Sequence, residues 1–158
     1  MPELTAYHEA GHAWMAVWVG ARVRVVSIAP ELDDREERFG DTQVEWQLSQ
    51  FSASELAAKS AWVALAGPAA EMAYRGEPYH PGLVAEWAED WREAWWAVEM
   101  IRPNQQQRMK YLEQQTVQIR RLLEDEANWA AVAEIADLLL AHEILEGDQV
   151  AECVGRWG

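Results

Sequence analysis

The chain has 158 residues and a mass of 18.0 kDa, a length that suits one compact domain, so residues 1–158 are expected to form a single domain. Half of the residues are hydrophobic and ten are tryptophan, which is enough apolar surface for a core and excludes global disorder. Asp and Glu number 27 against 13 Lys and Arg, a net charge of −14; because this charge repels phosphate backbones and anionic lipids, we expect neither nucleic acid nor a membrane as a partner.

The apolar stretches and the single cysteine indicate in which cellular compartment the chain is expected. The longest apolar stretches, 10–21 and 60–70, are shorter than the roughly 18 to 20 residues that cross a bilayer, so no transmembrane helix is predicted. Pro2 and Glu3 stand where a secretory signal would have a basic region, so no such signal is expected. Cys153 cannot form an internal disulfide, which favours the reducing cytoplasm, and we expect it to be buried.

The first third of the chain is predicted to form one helix and two strands. Residues 4–19 have helical apolar spacing, and Gly20 is typical of a helix end. The β-branched run 23–28 and the alternating segment 42–48 predict two strands. The acidic segment 31–41 between them predicts a solvated loop, so the strands are expected to pair as a long-looped hairpin.

A capping box opens the next predicted helix. Ser52 and Glu55 have the spacing at which a hydroxyl and a carboxylate each satisfy a free backbone N–H. The helix is expected to run to about Leu65 and to be interrupted at Gly67-Pro68, since proline removes a backbone donor. A bent continuation is expected over 68–74.

Four further helical segments complete the prediction. Residues 83–102 form the first, and Asn104 caps the second. An apolar seam along that second helix comprises Met109, Leu112, Thr116, Ile119 and Leu123. Residues 128–142 form the third, and Gly147-Asp148 begins a short last helix. The expected fold is mainly α with a small β ribbon, an α+β class.

A metal-binding motif lies within the first predicted helix. The sequence His8-Glu9-Ala10-Gly11-His12 fits H-E-x-x-H. Residues four apart share one helical face, so both imidazoles can reach one tetrahedral zinc ion at about 2.0 to 2.1 Å. Glu9 between them is the expected general base for a water that zinc activates. Gly11 is a poor helix former, and its presence in this helix suggests that another part of the molecule approaches its backbone closely. The alternative is two surface histidines on an amphipathic helix.

Four segments of the chain match known motifs in the same order. Residues 5–11 with Ala13 are similar to A-Y-H-E-A-G-H, and residues 65–71 to L-G-G-R-A-A-E. Residues 90–94 are similar to D-L-x-x-A, and residues 143–148 to a closing E-x-L-x-G-(D/E) segment. With these motifs the chain resembles the peptidase domain of the FtsH family, the ATP-dependent zinc metalloproteases. The resemblance implies a helical zincin-like metallopeptidase domain with a zinc cofactor.

The resemblance also implies a third zinc ligand, which by matching position is Asp90. Zinc coordination also requires a third ligand, because a catalytic zinc usually has three protein ligands and an exchangeable water. Glu86, four residues earlier, is the substitute, and Glu71 could orient a ligand histidine. His80 and His142 are further candidate ligands, although ordinary loop or helix roles are favoured for both. The competing hypothesis for Asp90 is an acidic residue on a solvated face.

The resemblance further implies a peptide or unfolded protein as substrate. Residues 40–46 are similar to the family's G-x-T-Q strand, whose edge could hold an extended peptide. Trp87, Trp91 and Trp95 form a stripe that we interpret as a core edge in preference to a substrate platform. The sequence contains no G-x-x-x-x-G-K-(S/T) motif, so we expect a stand-alone peptidase domain that binds no ATP. Because the family assembles as rings, the resemblance also suggests a homo-oligomer.

Three functional hypotheses follow from these residues. The first is a zinc metalloendopeptidase that acts through Glu9. The second is a zinc-binding regulatory or binding module with little or no proteolytic activity. The third is a purely structural helical domain in which the motif is accidental.

Overall fold

The computed structural model describes residues 2–29 and 40–158 of the chain. Six helices, in chain order, are α1 (Pro2–Trp18), α2 (Ala53–Arg75), α3 (Ala88–Ala97), α4 (Gln105–Glu124), α5 (Glu126–His142) and α6 (Gly147–Trp157) within these residues. The three strands found there are β1 (Arg22–Ser27), β2 (Asp41–Glu45) and β3 (Ile144–Glu146). The prediction of a mainly helical α+β fold is therefore confirmed.

The first helix is the centre of the packing. The predicted helix 4–19 is confirmed as α1, which packs against α2 and α5. A side chain at Gly11 would lie 2.4 Å from the carbonyl oxygen of Ala66 and 2.7 Å from the Cβ of Ala70. The close approach expected at Gly11 is thus the crossing of α1 over α2, and this crossing brings the motif helix next to the middle of α2.

The sheet has three antiparallel strands in the order β2-β1-β3. The predicted pairing of the first two strands is confirmed, with Val26 of β1 opposite Thr42 of β2. The sheet also contains a third strand that the sequence did not predict, because β3 pairs with the other edge of β1 and places Leu145 opposite Val26. A strand of three residues is too short for its alternation to show in the sequence.

The second strand is shorter than predicted. It covers Asp41–Glu45 in place of 42–48, and a 3-10 turn follows at Leu48–Gln50. Most of the predicted loop 31–41 lies outside the described residues, which resume at Gly40. β2 is one of the two edge strands of the sheet, and it contacts α1.

The predicted interruption of the second helix is wrong. The capping box is present, since the Glu55 amide donates to Ser52 Oγ at 3.1 Å and the Ser52 amide donates to Glu55 Oε1 at 3.2 Å. From there α2 continues without a break through Gly67 and Pro68 to Arg75. Proline removes one intrahelical hydrogen bond, but every residue from 64 to 72 is buried. Burial of this stretch offsets the lost bond, and Gly76 at φ 74° ends the helix.

The segment before the third helix also differs from the prediction. In place of one helix over 83–102, two 3-10 turns, Pro81–Leu83 and Ala85–Trp87, precede α3. The His80 ring accepts a hydrogen bond from the Gly82 amide at 3.0 Å, which stabilises the first turn. Val84 is extended, with φ −102° and ψ 119°, and separates the two turns. Glu86 therefore does not lie on the same helix as Asp90.

The last three helices begin close to their predicted positions. Asn104 caps α4 as predicted, and Asp125 caps α5, which begins at Glu126, two residues before the predicted start. Four of the five predicted seam residues of α4 are buried, namely Leu112, Thr116, Ile119 and Leu123. Met109 is 36% exposed, and Arg108 is buried in its place, where it stacks over Trp95 at 4.6 Å.

Two expectations about burial have clear outcomes. Cys153 on α6 is buried, as predicted. Across the part of the chain that the structure describes, none of the helices combines the length and the apolar character of a membrane span.

Candidate metal centre

Three side chains from two helices meet at one point. His8 and His12 lie four residues apart on α1, and Asp90 lies in the first turn of α3. The two imidazole Nε2 atoms are 3.1 Å apart. His8 Nε2 lies 2.8 Å from Asp90 Oδ2, and His12 Nε2 lies 3.3 Å from Asp90 Oδ1. One ligand atom from each of the three residues lies within 4.8 Å of the others, close enough to hold one metal ion.

The outer nitrogens of both imidazoles have fixed partners. His12 Nδ1 lies 2.7 Å from the carbonyl oxygen of Val63, which can only accept, so Nδ1 carries the proton. His8 Nδ1 lies 2.7 Å from Glu71 Oε2, and the carboxylate likewise accepts. In the neutral rings the Nε2 lone pairs therefore point towards each other and towards Asp90. A hydrogen bond on one ring nitrogen is the usual way in which a protein presents the other nitrogen to a metal.

The carboxylates favour a positive charge at this point. Burial lowers the pKa of His8, but the hydrogen bonds to Asp90 and Glu71 outweigh it and raise that pKa to about 10. Burial also lowers the pKa of His12, but the charge of Asp90 outweighs burial, so that this pKa is raised above its usual value. Burial raises the pKa of Asp90, and the two imidazoles lower it further than burial raises it. A proton or a divalent cation can supply the charge that this environment stabilises.

The backbone of α2 forms the floor of the centre. A Cβ atom at Gly67 would lie 2.4 Å from His12 Nε2 and 2.8 Å from His8 Nε2. No side chain fits between α2 and the two imidazoles at this position. The sequence predicts a helix break at Gly67-Pro68, but in the structure Gly67 lies inside α2 and leaves room for the imidazoles.

Glu9 lies beside the centre and is held by β2. Its side chain lines the same cleft as the imidazoles, although the residue is only 7% exposed. Thr42 Oγ1 donates a hydrogen bond to Glu9 Oε1 at 2.7 Å. A Cβ at Gly40 would lie 2.7 Å from Glu9 Oε2, so the start of β2 packs directly on this carboxylate. The charge of Glu9 also raises the pKa of both His8 and His12.

A large cleft opens onto the centre. It has a volume of about 1380 Å³, and its walls come from α1, α2, β2 and the segment that leads into α3. Thr42 and Val44 of β2, and Trp46 just after it, line one wall at every second position, as expected for one face of an extended segment. Because β2 is an edge strand, the edge that faces away from β1 has no strand partner among residues 2–29 and 40–158. An extended peptide is the ligand that such an edge can bind.

The other candidate ligands do not join the group. Glu86 lines the cleft but is exposed on a 3-10 turn and lies outside the cluster of ligand atoms. His80 Nε2 lies 3.5 Å from Glu113 Oε2, and His142 is exposed at the end of α5. The ordinary roles favoured for these two histidines agree with their positions.

Two residues of the tryptophan stripe lie at the core edge, as predicted, whereas Trp87 lines the cleft. Trp91 and Trp95 are half-buried and pack against the core, and Trp87 is 2% exposed. Trp87 also donates its indole N–H to Glu71 Oε2 at 2.5 Å, a contact that sequence reasoning missed. Thr42 was missed in the same way, and its only sequence signal was its place in the G-x-T pattern.

Comparison with protein-family models and with curated proteins finds no match to this chain. The resemblance to the FtsH peptidase domain therefore rests on the motifs in the sequence, and it is taken up below as a proposal.

Proposed function

We propose that this chain is a zinc-dependent metallopeptidase, with a zincin-like domain similar to the peptidase domain of the FtsH family. The observation that carries the proposal is the convergence of His8, His12 and Asp90, whose ligand atoms lie within 4.8 Å of one another. Asp90 is far from the motif in sequence, so the motif alone does not account for its position. Two imidazoles and one carboxylate form a donor set typical of catalytic zinc.

The residues around the centre also suit zinc. Both imidazoles have a partner on Nδ1 and direct Nε2 inward, and a fourth coordination position can face the cleft. When bound there, zinc would supply a Lewis acid and lower the pKa of water to about 7. His8, His12 and Asp90 would hold it.

Glu9 is the proposed general base. Thr42 holds its carboxylate in place through a hydrogen bond to Oε1, and this carboxylate would accept a proton from the attacking water and pass it to the leaving amine. The edge of β2 would hold the substrate backbone in an extended form, since its wall residues line the cleft that contains Glu9. Because pairing of this kind uses main-chain hydrogen bonds, peptides and unfolded segments are the proposed substrates.

The test combines metal analysis with proteolysis. Wild-type protein is expected to contain one zinc per chain and to degrade a fluorescently labelled unfolded protein. Glu9→Gln should keep the zinc and lose about 10² to 10⁴-fold in rate, because a general base is removed. Glu86→Gln is the matched control, since Glu86 lines the same cleft and should retain the activity.

The outcomes separate the three hypotheses. Zinc in both proteins with equal or absent proteolysis would contradict the peptidase and leave a zinc-binding module. Purified wild type without stoichiometric zinc, and without a gain in stability when zinc is added, would contradict both and leave a structural domain.

A further inference from the structure

We propose that Trp87 is a positioning residue of the metal centre, acting through the carboxylate of Glu71. This inference rests on the proposed function, because it concerns the affinity and geometry of the same metal site. It goes beyond the proposed ligands, since Trp87 lines the cleft wall as a hydrophobic residue and is not itself a metal ligand.

The first link is a shared oxygen. Glu71 Oε2 accepts from the Trp87 indole N–H at 2.5 Å and from His8 Nδ1 at 2.7 Å. Glu71 is 8% exposed and Trp87 is 2% exposed, so water contributes little to this contact. Hydrogen bonds to a buried carboxylate are stronger than those between neutral groups. The indole therefore fixes the oxygen that sets the tautomer and orientation of His8.

The second link runs through the backbone. Trp87 is the residue that immediately precedes α3, with φ −107° and ψ 9°, and Asp90 lies three residues later in the first turn. The indole is anchored on α2 through Glu71, and the ring of Tyr79 packs against it edge-on at 6.2 Å. The anchor consequently determines where α3 begins and where Asp90 meets the imidazoles. One side chain thus connects a histidine ligand to the carboxylate ligand.

A packing role alone makes different predictions from a positioning role. If Trp87 only fills space, a ring of similar size without the N–H should serve equally well. If the N–H positions Glu71, its loss should weaken the metal site even where the fold is intact. The N–H is therefore the group to remove.

The experiment replaces Trp87 with phenylalanine and, separately, with 3-benzothienylalanine, which keeps the shape of tryptophan but has sulfur in place of N–H. The second variant answers the question if Trp87→Phe fails to fold. Trp157→Phe is the control, because that indole donates to Glu134 Oε2 at 2.6 Å on a part of the fold that does not line the cleft. Zinc affinity is measured by chelator competition, and site geometry by the visible absorption of bound Co²⁺.

We expect both replacements at Trp87 to weaken zinc binding about tenfold and to change the Co²⁺ spectrum, a loss typical of outer-shell partners. Trp157→Phe should leave both measurements unchanged. In a Glu71→Ala background the same replacements should have little further effect, because residues that act through one contact are not additive.

Wild-type affinity in the 3-benzothienylalanine protein would overturn the inference, and so would full additivity with Glu71→Ala. Neither result would affect the proposed metal site. Wild-type protein that binds no zinc would instead contradict the proposed function, and with it this role for Trp87.

Discussion

Replacement of Gly67 by alanine is the sharpest test of the geometry of the centre. The new Cβ would lie 2.4 Å from His12 Nε2, 2.6 Å from His12 Cε1 and 2.8 Å from His8 Nε2. Ordinary contact begins at 3.4 Å, so the His12 ring must move by about 1 Å. Metal–ligand distances tolerate deviations of only about 0.2 Å. We therefore expect Gly67→Ala to lower zinc affinity by at least about 100-fold.

The same substitution has two opposing effects on the stability of the metal-free protein. Alanine is favoured over glycine within a helix by up to about 1 kcal/mol. Overpacking of a tight site costs about 1 to 3 kcal/mol, and the rings cannot easily retreat because both Nδ1 atoms are hydrogen-bonded. The cost is expected to exceed the gain, with a net loss of about 1 kcal/mol, measured by urea unfolding in the presence of a chelator.

Gly155→Ala is the matched control for this experiment. Gly155 also lies inside a helix, α6, but nothing lies within 4 Å of the position that its Cβ would take. The control should gain up to about 1 kcal/mol in stability and bind zinc as the wild type does. If Gly67→Ala bound zinc as tightly as the wild type, the close contact between the imidazoles and the backbone of α2 would be contradicted.

Three further predictions concern the ligands, the general base and pH. Asp90→Asn should abolish stoichiometric zinc binding, since an amide is a poor zinc ligand, whereas Glu86→Gln should leave zinc binding intact. Calorimetric titration with zinc measures both variants, and zinc retained by Asp90→Asn would contradict the role of Asp90 as third ligand. Thr42→Val should slow proteolysis about tenfold with the zinc content unchanged, because Glu9 loses its hydrogen bond from Thr42. Thr42→Ser keeps the hydroxyl and should restore the rate. Equal rates in the wild type, Thr42→Val and Thr42→Ser would contradict a role for Thr42 in holding Glu9. The pKa of His8 is about 10 in the folded metal-free protein against 6.5 for the free side chain, so its contribution to stability is fully present below pH 6.5 and is lost as the pH rises to about 10. Urea unfolding with a chelator should show this decline, while the stability added by zinc should grow over the same range; a flat profile for the metal-free protein would contradict the charge balance.

The local parts of the site could be predicted because their signals are local. Four-residue spacing on a helix places His8 and His12 on one face regardless of the rest of the fold, and Glu9 follows from the same motif. The place of Asp90 came from a resemblance, and its carboxylate does lie against both imidazoles.

The remaining features depend on contacts between elements that are distant in sequence. Pro68 predicts a break, yet α2 continues because its surroundings bury that stretch. The pairing of β3 with β1 joins residues more than a hundred positions apart. Thr42 and Trp87 carry no motif of their own, and their partners Glu9 and Glu71 become neighbours only once the chain has folded.

Anomalous diffraction at the zinc edge from zinc-soaked crystals would show whether His8, His12 and Asp90 bind one zinc ion. We expect a single strong peak at about 2.0 to 2.1 Å from the Nε2 atoms of both histidines and at about 2.0 to 2.2 Å from a carboxylate oxygen of Asp90. No peak between these side chains, or a peak whose third ligand is Glu86 or His80, would contradict it.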